Sequence, residues 1–295
     1  MTKDIDWSLY RTFLAVMTEG SLSAAARVLG IAQPTVGRHI STLEASLKQV
    51  LFTRSQGGLQ PTDTAYALRG YAAAMRNTAT ALERAAASQG AAVTGTVRIS
   101  ASEVIGVEVL PEMLARLCQQ HPALKIELVP TDRIQDLLER EADIAVRMMC
   151  PTQGALIARR VGVVKVGLYA RDDYLAAHGT PSTVEDLTRH ALIGFDEETP
   201  FLRTAMQSLN FLTRQDFALR SDNNLAQLAL VRAGCGIGGC PVKLAKNNPR
   251  LVRVLPYDWE FHLETWVAMH GSLRDNVSCR AVFDALVERL QAYMA

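Results

Sequence analysis

No stretch of about eighteen uninterrupted apolar residues occurs anywhere in the 295-residue chain, so it contains no sequence able to cross a bilayer as a helix. The N-terminal segment places Asp4, Asp6, Arg11 and Glu19 around its apolar residues and so lacks the layout of a secretory leader. Cysteine is sparse. The five residues Cys118, Cys150, Cys235, Cys240 and Cys279 are odd in number and scattered, in a chain large enough to fold without staples, which reads as a reduced, cytoplasmic protein. There is no excess of either charge: 31 Lys and Arg against 30 Asp and Glu exclude a global field that would mark a nucleic-acid or membrane binder. Any such surface must be local, and residues 1–90 do hold 9 basic against 6 acidic side chains. Metal-ligand spacing is missing as well, since the six histidines are dispersed and neither Cys-x-x-Cys nor His-x-x-x-His occurs. No cofactor is expected.

What is present begins with three short apolar periodicities. Leu9, Phe13, Val16 and Met17 recur at helical spacing until Gly20; Ser21 can then cap a second helix through Leu22, Ala25, Ala26 and Leu29, closed by Gly30. A third helix starts at Pro34 and buries Val36, Ile40, Leu43 and Leu47. Its opposite stripe is polar: Gln33, Thr35, Arg38, His39 and Thr42. Phe52–Ser55 and Leu59–Thr62, separated by Gln56-Gly57-Gly58, form a small hairpin. The unit reads as a helix-turn-helix with a wing, the bland alternative being an ordinary three-helix packing unit. Gln pairs with adenine, Arg with guanine, and a Thr methyl touches thymine, so the polar stripe suits a major groove, with Arg54 on the wing adding a phosphate or minor-groove contact.

Ala65, Leu68, Ala72, Met75, Ala79, Leu82 and Ala86 then alternate steps of three and four, a heptad seam that predicts self-association through a long helix. The alternative is an amphipathic helix lying on its own domain. Ser88–Ala92 reads as a hinge. From Val97 the chain alternates strand-like and helical runs, an α/β pattern with parallel sheets in two lobes. Helices are expected at Val107–Gln120, Ile134–Glu139, Val184–Leu187, Leu202–Leu209, Leu225–Ala233 and Asp275–Tyr293. Ligands of such sheets bind where strands end, which nominates Ser100, Ser102, Thr131, Asp132, Arg147, Met148, Phe195, Asn223 and Asn224, each of which could instead be a cap or loop residue. Arg147 with Ser102 and Thr131 would suit a small anion such as a carboxylate.

The run Ser21-Leu-Ser-Ala-Ala-Ala-Arg-Val-Leu-Gly-Ile-Ala-Gln-Pro-Thr-Val-Gly-Arg-His-Ile40, with Leu43-Glu44 and Leu51-Phe52-Thr53-Arg54, resembles the DNA-binding domain of LysR-type transcriptional regulators. Thr94–Ser102, Leu110-Pro111, His121-Pro122, Asp143–Arg147 and Ala233–Pro241 are similar to that family's effector domain. The resemblance implies a winged helix-turn-helix at 1–62, a dimerising linker helix and hinge at 63–92, and a two-lobed effector domain of the type II periplasmic-binding-protein kind at 93–295. Lobe I would hold about 93–160 and 267–295, and lobe II about 161–266. It implies a sequence-specific, effector-controlled regulator that binds a palindromic promoter site on double-stranded DNA as a dimer or tetramer. It adds Ser21, Ser23 and Pro34 to the DNA-facing set, and gives the positions of Ser102 and Thr131 an effector-binding role. Departures stand out: Ala32 and Gly37 replace the family's usual Ser, and Lys48 and Ala65 its usual Gly.

Two rivals need weighing. An enzyme has little to rest on, because the glycines of Gly234-Cys-Gly-Ile-Gly-Gly239 follow a helix, where a dinucleotide fingerprint requires a strand. They are expected instead to end a helix and turn into a strand. A thiol-based redox sensor would use Cys235 and Cys240, and needs a thiolate of low pKa.

Overall fold

The computed structural model describes residues 5–55, 58–87, 92–132, 142–151, 156–197, 209 and 212–295. It forms two compact units that part between Ala86 and Ala87.

In the first unit α1 (Trp7–Glu19) is capped by Asp6, whose carboxylate accepts from Ser8 N at 2.7 Å, and ends on Gly20 in the left-handed region. Ser21 caps α2 (Leu22–Leu29) by accepting from Ala24 N, and Gly30 at φ 66° closes it. The turn through Ile31 and Ala32 leads into α3 (Gln33–Leu47), which has no side-chain cap and leaves through Lys48 at φ 54°. Val36, Ile40 and Leu43 are buried against Phe13, Val16 and Ala25, so the three helices share one core. The wing is β1 (Phe52–Ser55) paired antiparallel with β2 (Gly58–Pro61). Glu44 of α3 ties it down, its Oε1 accepting from Leu51 N and Phe52 N at 2.7 and 3.1 Å.

The 25-residue α4 (Asp63–Ala87) does not present a single seam. Ala65 and Ala72 are buried in the core of their own unit and Leu68 packs against it, so this half of the heptad stripe covers its own domain. Met75 and Leu82 face outward, Ala79 is half-buried, and Tyr71, which the seam did not include, is exposed.

The second unit is built on a mixed sheet with strand order β10-β6-β11-β5-β3-β4 and β9 added to β6. Its strands are β3 (Gly95–Ala101), β4 (Leu124–Pro130), β5 (Ile144–Arg147), β6 (Leu156–Arg171), β9 (Gly238–Pro241), β10 (Leu251–Val254) and β11 (Glu260–His270). Here the expectation of parallel sheets needs correcting. β3 pairs in parallel with β4 and β5, but β6 and β11 run antiparallel over most of their length and belong to both lobes. Their inner ends continue the β5 side, and their outer ends carry β9 and β10. Between the two, the register shifts at Thr265/Trp266, where Gly162 holds φ 148°. A side chain there would collide with Met294, whose Cβ lies 2.6 Å from the position a Gly162 Cβ would take. The second lobe adds α7 (Asp172–His178) and a parallel pair, β7 (Leu192–Gly194) with β8 (Phe217–Arg220).

The expected helix over Val107–Gln120 is two helices, α5 (Glu103–Glu108) and α6 (Leu110–Gln120), because the chain breaks at Val109 just before Pro111. The segment near Val184–Leu187 is a 3-10 turn over Glu185–Arg189. α8 (Asn224–Ala233) ends on Gly234 at φ 80°, and the glycine run beyond it turns into β9 and then α9 (Val242–Lys246). The final helix, α10 (Val277–Met294), buries Val282, Phe283, Leu286 and Leu290 against the sheet, over β6, β11 and β3. At about 1.5–3 kcal/mol for each large side chain withdrawn from water, this helix anchors lobe I. The helix expected at 134–139, nearly all of the one at 202–209 and most of the 88–92 hinge lie outside the described residues.

Candidate DNA-reading helix and effector cleft

On α3 the stripe opposite the buried Val36, Ile40 and Leu43 consists of Gln33, Pro34, Arg38 and Thr42, all exposed, with Thr35 and His39 half-buried between them. His39 is held in place. Its Nδ1 lies 2.9 Å from the hydroxyl of buried Thr12, and that hydroxyl already gives its single proton to Ser8 O at 2.9 Å. Nδ1 is therefore the donor of the pair, and Nε2 is left for another partner. Ser21 is committed to capping α2, while Ser23, one turn in, is exposed. Arg54 sits on β1, and its side chain lies outside what the structure describes. At Gly37 an added Cβ would meet only Leu22 Cδ1 at 4.0 Å, so nothing steric requires glycine there.

Beside α4, Tyr10, Phe13, Leu43, Leu47, Leu68, Tyr71 and Met75 line an apolar groove of about 180 Å³. It is continuous with the outward stripe of Tyr71, Met75 and Leu82, which are 73%, 42% and 66% exposed. A stripe this apolar on an exposed helix face is a candidate interaction surface.

In the second unit the ends of β3, β4 and β5 bring several nominated residues together. Arg147 donates from Nη2 to Ser100 Oγ at 2.6 Å and from Nη1 to Val146 O at 3.1 Å. Ser100 is 0% exposed, which removes it from direct effector contact and makes it a support for the guanidinium. Ser102 occupies the N-cap position of α5 without making a side-chain cap, and Thr131 N donates to Ala101 O. Phe195 is half-buried directly after β7.

The sequence reading nominated Asp132 here but missed Glu103. Glu103 and Asp132 stand beside this group, Asp132 Oδ1 accepting from Glu103 N at 3.1 Å. Burial, and then the neighbouring charge of Asp132, push the Glu103 carboxyl above its ordinary range. Burial draws the Arg147 guanidinium downward, and Asp132 opposes that shift. The anionic effector suggested by Arg147 must therefore reckon with two carboxylates and with a guanidinium already hydrogen-bonded to the protein.

Both carboxylates reach across to lobe II. Asn223 caps α8, its Oδ1 accepting from Ala226 N at 2.8 Å, and its Nδ2 donates to Glu103 Oε2 at 2.7 Å. Asn224 Nδ2 donates to Asp132 Oδ2 at 2.6 Å. Farther along the same helices Arg232 makes a bidentate pair with Glu108 at 2.8 and 2.7 Å, and that hydrogen bonding holds the Glu108 carboxyl below its usual range. No pattern within one segment announces these pairs, because their partners lie 92 to 124 positions apart.

Cys240 is buried and its thiol is pushed up to about 12, chiefly by burial, which keeps it protonated and works against a redox role for the Cys235/Cys240 pair. Among the described residues no helix is long and apolar enough to cross a membrane.

Comparison with known proteins matches residues 7–66 to "Bacterial regulatory helix-turn-helix protein, lysR family" and residues 90–291 to "LysR substrate binding domain". The chain is 30% identical over 287 residues to the transcriptional regulator PtxR of Pseudomonas aeruginosa, covering 94% of this chain and 91% of that protein. It is 27% identical to the probable regulator LtrA of Klebsiella pneumoniae, covering 96% and 94%. Among solved structures, CbnR complexed with its target DNA shares the fold at TM-score 0.67 and 19% identity, covering 97% of this chain and 99% of that one.

Proposed function

Because the chain belongs to the LysR-type family of bacterial transcriptional regulators, we propose that its two units divide DNA reading from effector sensing, with named residues for each task. The protein is a sequence-specific DNA-binding regulator controlled by a small molecule. In our reading residues 1–62 dock on the duplex with α3 in the major groove. Gln33, Thr35, Arg38, His39 and Thr42 meet base edges, while Ser21, Ser23, Pro34 and Arg54 position the domain on the backbone. Residues 63–92 pair two copies through the outward face of α4, which places two reading helices on a palindromic promoter site. Residues 93–295 take the effector between the lobes, near Ser102, Thr131 and Arg147, with Ser100 behind them and Phe195 and Asn223 on the far side. Effector binding shifts the population of lobe arrangements and thereby the spacing of the reading heads. The protein works in the cytoplasm, where its DNA is, and carries out no catalysis.

The observation that carries this reading is the stripe on α3: a helix buried on one side by Val36, Ile40 and Leu43 and left polar on the other by Gln33, Arg38 and Thr42. Selection of genomic fragments by the purified full-length protein at fixed salt, followed by footprinting, tests it. A protected, roughly palindromic site supports the reading; binding that ignores sequence sinks it. On the selected site Arg38→Ala should cost about 1–3 kcal/mol and relax the preference at one base pair. An equal loss on every sequence would make Arg38 a phosphate contact.

A further inference from the structure

Besides the β6/β11 strand pair and the contact of Lys243 with Tyr293, side chains among the described residues find partners directly across the cleft. On lobe I the acceptors are Glu103 and Glu108, at the two ends of the short α5, together with Asp132 after β4. On lobe II the donors all lie on one element: Asn223 and Asn224 at the start of α8 and Arg232 near its end. The pairs close at 2.7 Å for Asn223 with Glu103, 2.6 Å for Asn224 with Asp132, and 2.8 and 2.7 Å for Arg232 with Glu108. Every member of this row crosses from lobe to lobe, and the strand pair that joins the lobes carries a register shift at Thr265/Trp266, where Gly162 holds φ 148°. A row of polar pairs at the rim of a jointed crossing is a clasp over a hinge.

We propose that Glu103, Asp132 and Glu108 with Asn223, Asn224 and Arg232 form an interlobe clasp that sets how often the cleft opens. This deepens the reading of the cleft as the effector site. Polar pairs near the surface break one at a time at modest cost, whereas the apolar packing of each lobe survives their loss. An effector entering near Ser102 has to compete with the two asparagine amides for Glu103 and Asp132. The open fraction therefore scales the apparent affinity for any effector, and within the clasp the Arg232–Glu108 pair tunes the response from outside the effector site.

Hydrogen exchange read by mass spectrometry on the full-length protein, with no small molecule added, tests the clasp. Two variants undo it: Arg232→Ala, and Asn223→Ser with Asn224→Ala, in which Ser keeps a cap for α8 while the amide donors are lost. A third, Glu108→Arg with Arg232→Glu, rebuilds the ion pair in reverse. Amides of α5 and of the first turns of α8 should exchange roughly tenfold faster in the first two variants and return to within about threefold of the parent in the third. The buried amides of β3 and α10 should not change. Unaltered exchange in α5 and α8 would overturn the proposal. So would equal acceleration in β3 and α10, because the contacts would then be holding the fold rather than the cleft. DNA selection on the same preparations separates this proposal from the one it deepens. A clasp that opens in a protein selecting no site removes the regulator reading alone, and a selected site with an inert clasp removes only the clasp.

Discussion

At the scale of single residues, the reading head departs from its family at positions whose physical cost the structure explains. Ala32 stands where α3 begins, and no side chain caps the helix there. Gly37 sits inside α3 with open space beside it, and Lys48 is forced to φ 54° where the helix ends. A cap is worth about 0.5–2 kcal/mol, glycine in a helix interior costs roughly 0.5–1, and a side chain in the left-handed region costs roughly 1–2. Ala32→Ser, Gly37→Ser and Lys48→Gly should each raise the melting temperature of the first unit, by about 4–8 °C for every kcal/mol gained. A melt that fell with Lys48→Gly would show that the lysine side chain makes a compensating contact. His39 shows the reverse relation between sequence and site. Its place on the polar stripe was evident from spacing, yet only the fold revealed that Thr12 of another helix fixes which ring nitrogen remains available.

At the scale of elements, the β6/β11 pair is the joint of the effector domain. Gly162→Ala would place a Cβ about 2.6 Å from Met294 at a backbone angle that L residues rarely adopt, so α10 must shift. A destabilisation of about 1–3 kcal/mol is expected in denaturant melts of the full chain, with partial rescue by Met294→Gly, which removes the Cβ that is struck. Contact between α5 and α8 has a pH signature of known sign. The Arg232 hydrogen bonds hold Glu108 below its ordinary value, so the stabilisation from this pair is complete above the normal glutamate range and is lost as pH falls through the lowered folded value. The amides of α5 and α8 in Arg232→Ala should therefore exchange faster than the parent's at pH 7, and the gap should close as the acid range is entered. A gap independent of pH would mean that the loss came from packing of the arginine stem.

At the scale of the whole molecule, the question is which part of α4 is left for a second copy. Ala65, Leu68 and Ala72 cover the core of their own unit, while Tyr71, Met75 and Leu82 remain outside beside an apolar groove. With α4 pairing two copies as proposed, Met75→Glu with Leu82→Glu should lower the sedimenting mass of the folded protein and weaken binding to a two-half-site duplex far more than to one half-site. Unchanged sedimentation would place self-association elsewhere.

Much of this protein is legible in its sequence, because the information is local. Helix spacing, the Gly20 and Gly30 stops, Ser21 as a cap and the two faces of α3 all follow from residues within a turn or two of each other. Motifs of the same short range carry the family resemblance across both units, and the matches at 7–66 and 90–291 agree with it. Tertiary structure alone decided the rest. A heptad stripe looks the same whether a partner or its own domain covers it, so only packing separated Ala65 and Ala72 from Met75 and Leu82. Strand direction is invisible to an alternating pattern, which is why β6 and β11 read as members of parallel sheets. Ser100 looked like a ligand residue until burial placed it behind Arg147. The clasp joins acids and amides about a hundred positions apart, and a pairing of that range exists only once two lobes have folded and met.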